Sequence, residues 1–410
     1  MERVIRTLST AICIFLVAIM AIVGFYSATL PDSFFVTENE PLSLTSVFAI
    51  SSKPCKAQSY YASKLYGDSI SEITKVSDST LMLFDSIPIK RVTEKTVDRP
   101  LLVPCGQPFG VRLMTDGVMV VKLEKFDGAC PASECGIEIG DVVTSVNGKA
   151  VDSNKKIGEI ISDSKGNPCE IEYKRNDKVR TATLTPMLYD GSYKAGMWVR
   201  DSSAGIGTLT FYNPENSSFG GLGHPICDAD TKVALPLSKG SVGEVEITGF
   251  DKSKNGNPGQ LLGEFTSSAK TGLIYSNSEC GIFGSLYSCP APQKAIPLGF
   301  RQEIHSGKAT ILSTIDGQDP KEYDVEIEKI DLQENAEHDM VVRITDKKLL
   351  GKTGGIVQGM SGSPIIQDGR LVGAVTHVFI DSPEYGYAVF ADSMYEQSCS
   401  CCDKSLDSAS

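Results

Sequence analysis

From Thr7 to Leu30 the chain carries no charged side chain, and within that stretch lies the apolar run AICIFLVAIMAIVGFYSA from Ala11 to Ala28. Lipid offers no partner for backbone N–H and C=O groups, so a single segment of this kind can cross a bilayer only as a helix. About 20 apolar residues, rising 1.5 Å each, span the hydrocarbon core. Arg3 and Arg6 precede the run, and basic residues tend to stay cytoplasmic. The expectation is a membrane anchor over residues 1–30, with the remainder outside the cytoplasm. A cleaved signal peptide fits less well. Its apolar core would run about 7–15 residues and end in small residues, whereas a cut after Ala28 would put bulky Tyr26 where a small residue is needed.

The 410 residues leave room for two folded domains beyond the anchor, at roughly 100–200 residues each. The net charge of −12 argues against a nucleic-acid partner, since such binding rests on basic surface facing phosphates. Disulfides are permitted outside the cytosol, and there are 12 cysteines. Only Cys399 and Cys402 have CxxC spacing, with no second knuckle and no nearby His pair. Neither a metal nor another cofactor is therefore expected.

Residues 31–98 read as a connector of unassigned fold with strand-like patches such as Leu81–Phe84. Residues 99–190 are more legible. GVMVVKLEKF is an apolar strand. In GIEIGDVVTSVNGKAV, Gly140-Asp141 makes a turn, Val142–Val146 a strand, and Asn147-Gly148 a hairpin dipeptide. Asp152–Ser164 reads as a helix with Ile157, Ile160 and Ile161 on one face. This order resembles a PDZ domain. The resemblance implies that Phe109-Gly110-Val111 is a carboxylate-binding loop, and that a peptide C-terminus or extended segment adds as a strand beside it.

From about Met197 short β-like runs alternate with glycine, which suggests a barrel or sandwich. The C-terminal half contains GIVQGMSGSPIIQDGRLVGAVTHVFI. Here Gly359-Met360-Ser361-Gly362 sits as a tight turn between two apolar strands. A serine at such a tip exposes its hydroxyl, and backbone N–H groups of Gly359 and Ser361 can converge as an oxyanion hole. Gly-x-Ser-Gly-x-Pro resembles the nucleophile turn of chymotrypsin-like serine peptidases, with Ser361 the nucleophile and Ser363 where a glycine is usual. A serine needs a general base, and four histidines are available. His305 and His338 lie in polar surroundings and read as solvent residues. His377 reads as a packed strand residue beside Val375 and Phe379. His224, in GGLGHPICD, lies between turn glycines and a proline and precedes the serine, so it is the expected base. For the orienting acid, Asp346 ends the apolar strand VRIT, while Asp228 and Asp230 lie close to His224 in sequence.

The combination of one span, a PDZ-like region, RDSSAGIGTLTFY, GLGHPI and KLLGKTGGIVQGMSGSPIIQDGRLVGAVTHVF resembles the stage IV sporulation protein B peptidase family of endospore-forming bacteria. That resemblance implies the triad His224, Asp346 and Ser361. It also implies a mainly β fold: an N-terminal transmembrane helix, a PDZ-like domain, then a chymotrypsin-like double β-barrel over 196–392. Residues 393–410, with Cys399, Cys401 and Cys402, match nothing in that family and read as a disordered tail. The implied function is sporulation signalling from the space between the forespore membranes. Such a peptidase cleaves itself. It then cleaves a membrane-embedded regulator of an intramembrane metalloprotease, so that a late sigma-factor precursor is processed. The alternatives are a non-catalytic PDZ scaffold, in which a residue of the triad would be expected to be lost, and an envelope quality-control protease, which usually carries its PDZ domain after the peptidase. By analogy, Glu384–Phe390, with Tyr385, Gly386 and Tyr387, walls the substrate pocket.

Overall fold

The computed structural model describes residues 2–38, 40, 42–44, 48–55, 60–62, 74–176, 178–290, 293–333 and 338–407. Helix α1 (Glu2–Thr29) contains the uncharged run and is long and apolar enough to cross a membrane. The region expected to be a connector is a sheet with its own core. Strands β1 (Ser33–Val36), β2 (Ser43–Leu44), β3 (Ile50–Pro54), β4 (Tyr60–Ala62), β5 (Thr74–Leu83) and β6 (Ile87–Thr96) pair in the order β1-β6-β5-β3-β2, with β4 on β5. Phe34, Leu81, Leu83 and Val92 pack beneath it together with Tyr26 and Leu30 from the end of α1.

The next strands are the short β7 (Leu101–Pro104) and the long β8 (Pro108–Leu123). Strand β8 serves two domains at once. Its second half opens the PDZ-like unit, followed by the short helix α2 (Pro131–Glu134), the hairpin β9 (Val142–Val146) and β10 (Lys149–Ala150), α3 (Asn154–Asp163), β11 (Cys169–Arg175) and β12 (Lys178–Leu184). Asn147 and Gly148 both take positive φ at the β9–β10 turn, as a tight hairpin of this handedness requires. Ser153 caps α3 by accepting from the Lys156 N–H, and Ile157 and Ile161, one turn apart, bury the same face. Asp141 of the Gly-Asp pair is buried against the Arg175 guanidinium at 2.6 Å.

A small hairpin, β13 (Met187–Tyr189) and β14 (Ser192–Lys194), leads into β15 (Met197–Tyr212). With β16 (Ser218–Gly221), β17 (Leu237–Asp251), β18 (Gln260–Ser278) and β19 (Gly281–Leu286), β15 and the first half of β8 form a ring, β8-β17-β18-β19-β16-β15, that closes through β8–β15 pairing. Phe109, Val111, Leu113, Leu209 and Phe219 fill it. After β20 (Ile296–Pro297) comes a second closed barrel of β21 (Gly307–Ser313), β22 (Lys321–Ile330), β23 (Met340–Ile344), β24 (Pro364–Gln367), β25 (Arg370–Val378) and β26 (Tyr385–Phe390). Helix α4 (Lys347–Thr353) lies between β23 and β24.

Two boundaries differ from the sequence reading. The PDZ-like unit and the peptidase region are not consecutive, because β8 precedes the PDZ-like elements yet belongs to the first barrel. The tail expected to be disordered is helix α5 (Ala391–Asp407) as far as it is described, with residues 408–410 outside the described set. Met394, Ser398 and Cys401 are buried. Met394 and Cys401 join Phe211, Phe283 and Phe300 in one core cluster. Burying such side chains contributes about 1.5–3 kcal/mol each, which holds the helix in place.

Candidate active site

Ser361 sits on the turn between α4 and β24, half-buried where the two barrels meet. Its hydroxyl donates to the Thr376 carbonyl of β25 at 2.5 Å. The turn is tied to β25 by Gly362 N–H donating to Val375 O at 2.7 Å and Val375 N–H donating to Ser363 O at 3.0 Å. Met360 N–H donates to Val357 O. The N–H groups of Gly359 and Ser361 donate to no protein acceptor among the described residues. Ser363, two residues on, is fully buried, and its hydroxyl is engaged with Ser313 Oγ at 3.0 Å and the Met360 carbonyl at 2.7 Å.

His224 comes from the opposite barrel, on the loop after β16. Leu222 and Gly223 both have positive φ, 67° and 71°, a conformation uncommon for leucine. The space beside Gly223 is taken by Thr376, whose Cγ2 would lie 2.9 Å from an added Cβ. On the other side of the turn, Leu222 N would lie 2.6 Å from a Cβ at Gly362. The loop bearing His224 and the turn bearing Ser361 are thus packed backbone to backbone. His224 Nδ1 lies 2.8 Å from the Pro225 carbonyl. A carbonyl only accepts, so Nδ1 carries the proton and Nε2 the lone pair. Burial lowers the His224 pKa from its ordinary value, partly opposed by that bond to Pro225. The ring is therefore neutral at pH 7.

Asp346 makes no hydrogen bond or ion pair with His224 among the described residues. It caps α4, its Oδ1 accepting from Lys348 N–H and Leu349 N–H, both at 2.8 Å. The expected orienting carboxylate is thus a helix cap, and the Pro225 carbonyl stands where the acid would meet the imidazole. The physical reason is local: Asp346 directly precedes α4, and its Oδ1 is taken up by the otherwise unpaired N–H groups of that helix's first turn. Asp228 is buried against Arg200 at 2.9 Å, and Asp230 pairs with the same guanidinium at 2.8 Å.

Three of the four histidines gather here. The His377 ring lies 4.6 Å from that of His224, tilted by 36°. His377 is exposed on one face rather than packed into its strand. Burial of the rest of its ring, then the neighbouring His224 and His338, pushes its pKa down to about 4. His338, read from sequence as a solvent residue, stacks on Tyr387 at 3.4 Å, and Phe379 lies 4.5 Å from the same tyrosine. They come from three separate stretches of chain, and only His224 lay in a short string that marked it. His305 pairs with Asp368 at 2.8 Å, away from this group.

Phe109, Gly110 and Val111 do not form a loop. They lie inside β8, paired with Gly207, Ile206 and Gly205 on one edge and with Glu244, Gly243 and Val242 on the other. Phe109 and Val111 point into the first barrel's core, and a Cβ at Gly110 would overlap the Phe265 ring. A strand with both edges taken cannot receive a peptide. The groove beside the PDZ-like helix lies elsewhere. Between α3 and the start of β15 is a cavity of about 260 Å³, lined by Ile157, Gly158, Ile161, Gly196, Met197 and Val199 among others. From Met197 to Val199, β15 pairs only with β8, so its edge toward α3 is open among the described residues. Ala195-Gly196-Met197, an apolar-Gly-apolar string, is the sequence signal for this strand.

A family model described as SpoIVB peptidase S55 matches residues 191–395, half of the chain. The chain belongs to the SpoIVB peptidase S55 family. A PDZ-domain model matches residues 108–185, so this S55 peptidase-family chain carries a PDZ domain ahead of the matched region, and the PDZ match includes the barrel half of β8. Two curated relatives are similar over short stretches. A protein of Lactococcus lactis whose name describes a zinc metalloprotease is 41% identical over 68 residues, 16% of each chain. Another so named, from Clostridium perfringens, is 33% identical over 85 residues, 20% of this chain and 25% of that one. The chain thus spans a quarter or less of these relatives. Among solved structures, the PDZ domain of the SdrC-like protein of Listeria monocytogenes is 29% identical, covering 20% of this chain and 87% of that one, with a TM-score of 0.19. An M. tuberculosis protease in its active form is 15% identical, covering 48% and 74%, with a TM-score of 0.29.

Proposed function

We propose that this S55-family chain is a membrane-anchored serine endopeptidase in which Ser361 is the nucleophile and His224 the general base. The observation that carries the reading is the turn itself: a half-buried serine whose own N–H and that of Gly359 lack protein acceptors, packed against the loop of a neutral histidine. In the reaction, rotation about χ1 turns the Ser361 hydroxyl from Thr376 O toward His224. Ser361 Oγ then attacks the scissile carbonyl carbon while His224 Nε2 takes its proton. The developing oxyanion is held by Gly359 N–H and Ser361 N–H. The C–N bond breaks as His224 returns the proton to the leaving amine, and water hydrolyses the acyl-serine by the same relay. Pro225 O keeps Nδ1 protonated throughout.

Substrates on this reading are proteins, and the cavity between α3 and β15 receives an extended segment that adds to the open edge of β15. The family resemblance supports a finer reading: self-cleavage, then cleavage of a membrane-embedded regulator of an intramembrane metalloprotease in sporulation signalling, in the space between the forespore membranes. A time course of the detergent-solubilised full chain beside Ser361→Ala tests the peptidase reading. Fragments from wild type alone are expected. Identical fragments from both would remove Ser361 from the mechanism.

A further inference from the structure

Two glycines flank the nucleophile, both with positive φ: Gly359 at 99° and Gly362 at 97°. Glycine is the residue least able to hold its own backbone, so a serine set between two of them needs an outside restraint to keep its N–H groups aimed. That restraint comes from the other barrel. On β15, Thr208 Oγ1 donates to the Gly359 carbonyl at 2.8 Å, and Thr210 Oγ1 donates to the Gly362 carbonyl at 2.8 Å. Thr208 also donates its N–H to Ser361 O at 3.1 Å and accepts from Leu222 N–H at 3.2 Å. One residue is therefore bonded to the glycine before the nucleophile, to the nucleophile itself and to the loop that carries His224. Both threonines are buried, and neither side chain faces the open side of the turn.

On the peptidase reading given above, we infer that Thr208 and Thr210 are positioning residues. Their hydroxyls clamp the carbonyls of the two glycines beside Ser361, and thereby aim the N–H groups that receive the oxyanion. They touch no substrate, so they act on the rate of acylation and not on substrate affinity. The string Gly207-Thr208-Leu209-Thr210 encodes the device: alternate residues of a strand face one side, so both hydroxyls reach the same turn. Valine at either position keeps the shape and removes only the donor.

The test is the rate at which a fluorophosphonate acylates Ser361 in the detergent-solubilised full chain, together with kcat and KM on a peptide substrate. Thr208→Val is expected to acylate roughly tenfold to a hundredfold more slowly, the scale of a misaimed oxyanion donor. The loss should fall on kcat with KM unchanged, and Thr208→Ser, which keeps the donor, should recover most of it. Thr210→Val removes the bond at Gly362 alone and is expected to show a smaller loss of the same kind, which carries the test if Thr208→Val does not fold. Wild-type acylation rates in the folded valine variants would overturn the inference, as would equal losses in the serine and valine variants. Absence of labelling in wild type would instead overturn the peptidase reading, and this inference with it.

Discussion

Two glycine-containing segments of this chain use their backbone in opposite ways. Around Gly359 the chain enters β24 of the second barrel through a turn, and the N–H groups of Gly359 and Ser361 remain without protein acceptors among the described residues. Around Gly110 the chain runs through the middle of a sheet, with neighbours on both edges and the Phe265 ring packed over the glycine. On the proposed reading the first receives an oxyanion, whereas the second has both strand edges taken. In both places glycine permits a close approach, and only the strands on either side determine whether backbone donors are left over.

The comparison is broken or sharpened first at the two serines. Ser361→Ala is expected to lower kcat on the order of 10⁵- to 10⁶-fold, read by peptide hydrolysis. Ser363→Ala should leave hydrolysis nearly intact while lowering stability by about 1–3 kcal/mol, since it leaves the buried Ser313 hydroxyl short of a partner. Equal losses of activity at both serines would contradict the assignment. The histidines come next. His224→Ala should match Ser361→Ala, because the two act as a unit, whereas His377→Ala should cost far less. The reverse order would move the base to His377. Because burial lowers the His224 pKa, and the base works only when neutral, kcat/KM should stay level as pH falls through the ordinary histidine value of about 6.5 and decline only below it. A midpoint at or above that value would contradict the buried, neutral base.

Asp346 gives a sharper contrast. As a helix cap it should tolerate asparagine, which caps as well as aspartate, and lose about 1 kcal/mol of stability as alanine. As a triad acid, Asp346→Asn would instead lower kcat by about 10⁴-fold. Kinetics of the asparagine variant alone separate the two roles. The smallest effects belong to the PDZ region. Gly158 lines the cavity beside α3, and a Cβ there meets nothing within 4 Å. Gly158→Leu should therefore fill the groove without loss of stability and slow cleavage of protein substrates severalfold, leaving short peptides untouched. Gly110→Ala should destabilise the fold by roughly 1–3 kcal/mol and affect both substrates alike. The opposite pattern would return peptide recognition to residues 109–111.

What could be read from the sequence was local. Asn147-Gly148 makes its hairpin, Ile157 and Ile161 bury one helix face, and Gly359–Ser361 makes its turn, because each depends on residues within one turn of chain. The roles of Phe109–Val111 and Asp346 depend on which strands lie alongside and which barrel a segment joins. Pairing of β8 with β17, or the distance from the cap of α4 to His224, is set by contacts far apart in sequence. The same is true of Thr208 and of His338 on Tyr387. Their side chains meet partners that no spacing rule relates, so they became visible only once the two barrels were assembled.

The central claim is that Ser361, activated by His224, is the reactive nucleophile. Mapping the covalent adduct of a fluorophosphonate by peptide mass spectrometry, in the full chain and in His224→Ala, tests it most directly. The account predicts a single adduct on Ser361 that persists in Ser363→Ala and disappears in His224→Ala. An adduct on another serine, or no adduct on the folded wild-type chain, would contradict it.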